Sequence, residues 1–189
     1  MRKAIFPALA AAALAAAVVG CDTNSPQSPA QQAAMKSESK TALQQFEAGN
    51  PSIQGVVDGA VGYVIFPDVG KAAVGIGGAH GNGEVYQNGQ VIGHASLDQA
   101  SIGLDLGGKT YAELIVFQNQ AALDRLKEGK LTFGGTAAVE VVKAGAAVKG
   151  EFVNGVRVFV LPKGGLEADV SLNGQKIYFH PSTNNVNSQ

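Results

Sequence analysis

The sequence of 189 residues contains no tryptophan, one cysteine, only 6% aromatic residues and three histidines. A single cysteine excludes an internal disulfide framework and any multi-cysteine metal site. Aromatic girdles are expected of a transmembrane β-barrel, so the scarcity of aromatics argues against that reading of the glycine-rich alternation. His80, His94 and His180 are scattered, with Glu84 and Asp68 near the first. Neither a metalloprotease spacing nor a nucleophile elbow is present, and spacing alone does not make Asp98 and Asp105 an acid/base pair. Histidines this far apart hold a metal only if the fold converges them, and surface or hydrogen-bonded roles are commoner. The run Gly75 to Gly83 lacks the Gly-Lys-Ser/Thr helix opening of a phosphate loop and the βαβ setting of a dinucleotide site. It reads as tight turns and close strand packing. No catalytic residue, cofactor or metal is therefore expected.

The N-terminus has short positive flanks, Arg2 and Lys3, followed by an apolar, alanine-rich run from Ala4 to Val19. That is signal-peptide anatomy, and the run is shorter than the roughly 20 residues that span a bilayer. It closes on Val18-Val19-Gly20-Cys21, which resembles the lipobox of bacterial lipoproteins. The resemblance implies cleavage after residue 20, lipid on Cys21 and residence in the cell envelope on the periplasmic side. Asp22 resembles the residue that holds enterobacterial lipoproteins in the inner membrane, but the rule varies between bacterial groups, so inner versus outer membrane stays open. Two or three acyl chains hold a protein firmly where one binds marginally.

Once Arg2 and Lys3 are removed, 12 of the 14 Lys and Arg remain against 15 Asp and Glu, a formal net of −3 (12 − 15). No basic field is left to gather nucleic acid. Residues 21–30 read as a flexible Ser/Pro/Gln/Asn tether, residues 31–181 as one folded domain, and residues 182–189 as a disordered polar tail.

Within the domain, Gln31 to Ala48 has Met35, Ala42, Leu43 and Phe46 at helical spacing, and Gly49-Asn50-Pro51 stops the helix. Its apolar stripe either packs on the domain or dips into a membrane interface. Beyond Gly55, short β-prone runs alternate with turns at Asn88-Gly89, Asn154-Gly155 and Asn173-Gly174, each a type I′ hairpin signal. The clearest predicted hairpin joins Glu151–Val153 to Val156–Val160. One helix interrupts the strands, capped by Asn119, carrying Leu123 and Leu126, and ended by Gly129. The expectation is an α+β domain, mainly antiparallel sheet curled into a barrel or sandwich, with an N-terminal and an inserted helix.

An ordered set of motifs runs through this region. It begins at Ala42-Leu43 and Phe46, then takes in Gly62-Tyr63-Val64-Ile65-Phe66-Pro67, Lys71, Gly75, Gly77-Gly78, Gly81 and Gly83. It continues through Ser101-Ile102-Gly103, Phe117, Ala121-Ala122-Leu123 and Gly134-Gly135, and ends at Gly164-Gly165-Leu166 and Val170-Ser171-Leu172. Together these resemble the SYLF-domain family. The resemblance implies lipid binding through a basic surface and an N-terminal amphipathic helix, with Lys71 matching a family lysine and Met35, Leu43 and Phe46 lying in the corresponding helix. These four are the lipid-contact candidates. The chain departs from the pattern in its acidity and in Asp105, where the family often has glutamine, so phosphoinositide specificity is not carried over.

If Asp105 turns inward it needs a donor or cation, for which Lys71 or Lys109 is available; otherwise it lies on a solvated strand face. The expected partner is membrane lipid, with a protein partner as the alternative function: an anchored module that has no lipid ligand of its own.

Overall fold

The computed structural model describes residues 28–74, 76–102, 107–133, 139–142, 150–164 and 174–182. The expected signal peptide, Cys21 and nearly all of the expected tether and tail lie outside the described residues. In chain order the elements are α1 (Pro29–Gly49), α2 (Ser52–Asp58), β1 (Gly62–Val74), β2 (Ile76–Gln87), β3 (Gln90–Ile102), β4 (Gly107–Phe117), α3 (Gln120–Lys127), β5 (Thr132–Phe133), β6 (Val139–Val141), β7 (Val156–Gly164) and β8 (Gln175–Pro181).

One eight-stranded sheet holds all the strands in the order β5-β8-β3-β2-β1-β4-β7-β6. Every pairing is antiparallel except that of β6 with β7. The sheet curls into a half-barrel. A side-chain bond demonstrates the curl: Gln175 Nε2 on β8 donates to Glu113 Oε2 on β4 at 2.9 Å, although these strands are four places apart, about 19 Å on a flat sheet at the usual spacing.

Alternation along the strands sends side chains to two cores. The concave side gathers Val64, Phe66, Val69, Leu97, Ile115, Phe117 and Ile177 with Leu123 and Leu126 of α3. The convex side gathers Ile65, Leu114, Val116 and Phe159 under Ala42 and Phe46 of α1 and Ile53 of α2. The sheet is thus covered on both faces, which is why Leu114 to Phe117 is uninterruptedly apolar.

Local signals account for the boundaries. Ser28 Oγ accepts from Gln31 N and the Gln31 side chain accepts from Ser28 N, closing a capping box, so α1 begins at Pro29, two residues ahead of the periodic run. Asn50 ends it, and its Oδ1 accepts from Ser52 N at 3.1 Å. That same residue opens α2, a short helix not anticipated from the sequence. Pro67 sits where the register of β1 shifts against both neighbours; lacking an N–H, proline fits a bulge and not a regular ladder.

Asn88-Gly89 and Asn154-Gly155 have the positive φ values of the expected turns, 50° and 75° for the first pair and 53° and 76° for the second. Asn173 lies outside the described residues. The predicted hairpin at residues 151–160 is corrected. Its first arm contributes a single bridge, Val153 to Val156, whereas β7 makes its long pairings with β4 and β6. Asn119 caps α3, its side chain accepting from Ala122 N at 3.0 Å, and Gly129 follows at φ 66°.

Candidate functional site

The C-terminal half of α1 is clamped to the sheet by Ala42 and Phe46. Towards its N-terminus the strands beneath change character, because the register aligns Glu84 of β2, His94 of β3 and His180 of β8 directly opposite one another. Polar side chains do not close-pack against a helix as aliphatics do. Here helix and sheet leave a cleft of about 390 Å³ whose lining includes Pro29, Gln32, Ala33 and Lys36 from α1, and Glu84, Val91 and His94 from the sheet, with Ser182 at its edge.

Glu84 lies 2% exposed beneath α1 and accepts from the Tyr86 hydroxyl at 2.5 Å. Burial pushes its pKa up, opposed by the Tyr86 hydroxyl, the Lys36 charge and Ser39. The Tyr86 phenol is raised in turn, by burial and then by Glu84. Tyr63 stacks on Tyr86 with ring centroids 4.6 Å apart; burial first, then Glu84 and Glu47, push it up to about 12. His94 is lowered by burial and by His180, and its Nδ1 is buried without a hydrogen-bond partner. Ser96 Oγ lies 3.1 Å from His180 Nε2. The cleft therefore presents an acid held by a tyrosine hydroxyl, an imidazole with an unpartnered nitrogen and a lysine on its helix side.

A second polar cluster lies inside the half-barrel. Glu113 is fully buried, and desolvation raises its pKa to about 8 against the Gln175 hydrogen bond that lowers it. Glu113 Oε1, Gln175 Oε1 and the Tyr111 hydroxyl are buried without partners.

The sequence-derived candidates fall in different places. Cys21 and Asp105 lie outside the described residues. Met35 and Leu43 are half-buried on α1, whose exposed positions are mainly Ala, Gln, Lys, Ser and Glu. Phe46 is corrected: at 0% exposure it packs into the convex core, so it holds the helix to the sheet and is not a lipid contact in this fold. Lys71 lies in β1, half-buried, with its Cα opposite those of Ala79 and Lys109. The side chain of Lys109 is outside the description. Inside the half-barrel, the buried acid among the described residues is Glu113.

His80 is paired with Asp98 at 2.8 Å on the surface. Among the described residues no group of three His, Cys, Asp or Glu is placed to hold a metal ion. Glu84 and His94 are weighed in the sequence only as scattered metal or catalytic candidates, and their meeting with Lys36 under α1 is not anticipated there. Glu84 lies in the Gly-Glu-Val-Tyr run, where its alternation with the buried Gly83 and Val85 looks like a solvent-facing position until a helix covers it.

The architecture is one curled sheet with helices on both faces and a mixed-polarity cleft under the first helix. Residues 98–186 match the family described as Ysc84, the Las17-binding protein actin regulator; the match covers the later part of the region that resembles the SYLF-domain proteins. The family is associated with lipid binding and protein partners and is not an enzyme family. The segment runs from the end of β3 through β8, and the strands before it belong to the same sheet. A comparison with curated proteins finds no match.

Proposed function

We propose that the protein is a membrane-anchored bacterial lipoprotein, lipidated on Cys21 and facing the periplasm, whose SYLF domain binds lipid head groups or membrane surface and catalyses no reaction. The observation that carries the reading is the cleft between α1 and the sheet, lined at Pro29, eight residues after Cys21 in the sequence. Helix insertion is disfavoured: α1 turns Ala42 and Phe46 to the core and offers no exposed large apolar residue, Tyr178 being the exposed large hydrophobic among the described residues. Contact with lipid then falls to polar groups at head-group level.

Anchoring is tested by fractionating cells that express the wild type and Cys21→Ser. The wild type should sediment with membranes and carry the added mass of acyl chains, and the variant should lose both. Equal sedimentation without added mass overturns the anchor. Lipid binding by the domain is tested with the variant on phospholipid vesicles, where retention is expected and its absence contradicts the reading. The family description, which names a protein target, supports the second reading, an anchored module for a protein partner; it gains if the variant ignores every vesicle.

A further inference from the structure

The cleft beneath α1 is lined by an acidic and a basic side chain from different elements. Glu84 on β2 accepts from the Tyr86 hydroxyl at 2.5 Å and is 2% exposed, Lys36 lines the same cleft from the helix, and the His94 Nδ1 is buried without a partner. We propose that this cleft takes a zwitterionic head group joining a phosphate to a primary ammonium, with the phosphate on Lys36 and the ammonium on Glu84 and His94 Nδ1. The proposal rests on the lipid-binding reading above and gives it a ligand class.

Hydrogen-bond chemistry selects the ammonium. A carboxylate only accepts, an unprotonated imidazole offers one accepting nitrogen, and a primary ammonium brings three donors; charge-assisted bonds of this kind are the stronger ones. A quaternary ammonium has no N–H to give, so it leaves His94 Nδ1 as it stands. A purely anionic head group, phosphate with glycerol, satisfies Lys36 but sets a negative charge against Glu84. The cleft volume of about 390 Å³ lies within the range of small-ligand sites. Position favours a lipid as the source: Cys21 precedes the Ser28 cap by seven residues, at most about 25 Å of chain, so an anchored protein carries the cleft beside the head groups.

The test titrates the full chain carrying Cys21→Ser, in detergent, with the soluble compounds glycerophosphoethanolamine, glycerophosphocholine and glycerophosphoglycerol, and with inorganic phosphate. Binding is read by calorimetry and by the imidazole resonances of His94. The ethanolamine compound should bind about tenfold or more tightly than the others, with a shift of the His94 signals, and lose about tenfold in Lys36→Ala and in Glu84→Gln, the scale of one lost charge-assisted contact. Lys36 is exposed, so that variant keeps the fold even if Glu84→Gln disturbs it.

Equal binding of the compounds, or binding unaffected by Lys36→Ala, overturns the proposal. Vesicles separate it from the reading beneath it. Retention on phosphatidylethanolamine and phosphatidylcholine alike removes the head-group assignment and keeps lipid binding. Retention on neither removes both. Soluble compound bound without vesicle retention assigns the site to a free metabolite of the same chemistry and overturns the lipid source.

Discussion

Glu113 is an acid that water does not reach, facing one donor, Gln175 Nε2 at 2.9 Å. Its folded pKa of about 8 stands above the ordinary 4.5, so between those values the native protein holds a proton that the unfolded chain has released. Stability is full below about pH 4.5 and falls as pH rises towards 8; at about 1.4 kcal/mol per unit of separation the loss is on the order of a few kcal/mol. Glu113→Gln should flatten that fall and raise the urea midpoint at pH 9 relative to wild type, while at pH 5 the two stay close. Parallel pH profiles contradict the assignment.

Glycine supplies a second test at this scale. A Cβ on Gly83 would stand 2.4 Å from the Ile65 carbonyl oxygen, whereas one on Gly70 meets nothing within 4 Å. Gly83→Ala should cost about 1–3 kcal/mol, as overpacking does, and Gly70→Ala should stay within about 0.5 kcal/mol, both read from denaturant midpoints.

At the scale of elements, α1 is the part on which the functional account depends, and its ends are fixed by different forces. The Ser28 capping box contributes about 0.5–2 kcal/mol, and Ser28→Ala should fray the first turns that roof the cleft while the core stays intact. Phe46→Ala removes the clamp and should cost about 3–5 kcal/mol. Circular dichroism during urea titration distinguishes the two, with early partial loss of helix for the first and a lowered global midpoint for the second.

The helix itself was legible from its periodicity. Which surface its stripe meets was not, because Met35, Leu43 and Phe46 have the same spacing whether they face a sheet or a membrane. The turns at Asn88-Gly89 and Asn154-Gly155 and the Asn119 cap were legible because each is decided within four residues. The partner of β7 was not, since pairing with β4 and β6 is settled by distant chain. Glu113 carried a usable signal: it sits between Ala112 and Leu114 in a strand apolar on both faces, so either orientation buries it.

For the whole molecule, composition and the ordered motifs led to the α+β class and the family, and the match over residues 98–186 gives that family an independent footing. Curvature could not be read from sequence; it follows from the eight-strand order and the bulges at Pro67, and it brings Gln175 to Glu113 across the interior. The cleft likewise appears only when α1 lies over the row Glu84, His94, His180. The central claim is that this domain binds lipid through that cleft.

Native mass spectrometry of the full chain with Cys21→Ser, purified from whole-cell lysate in detergent and released from the micelles, tests it most directly. The account predicts a bound species of phospholipid mass that is reduced in Lys36→Ala and retained in the surface control Gly70→Ala. A protein mass free of bound lipid in wild type and variants alike would contradict it.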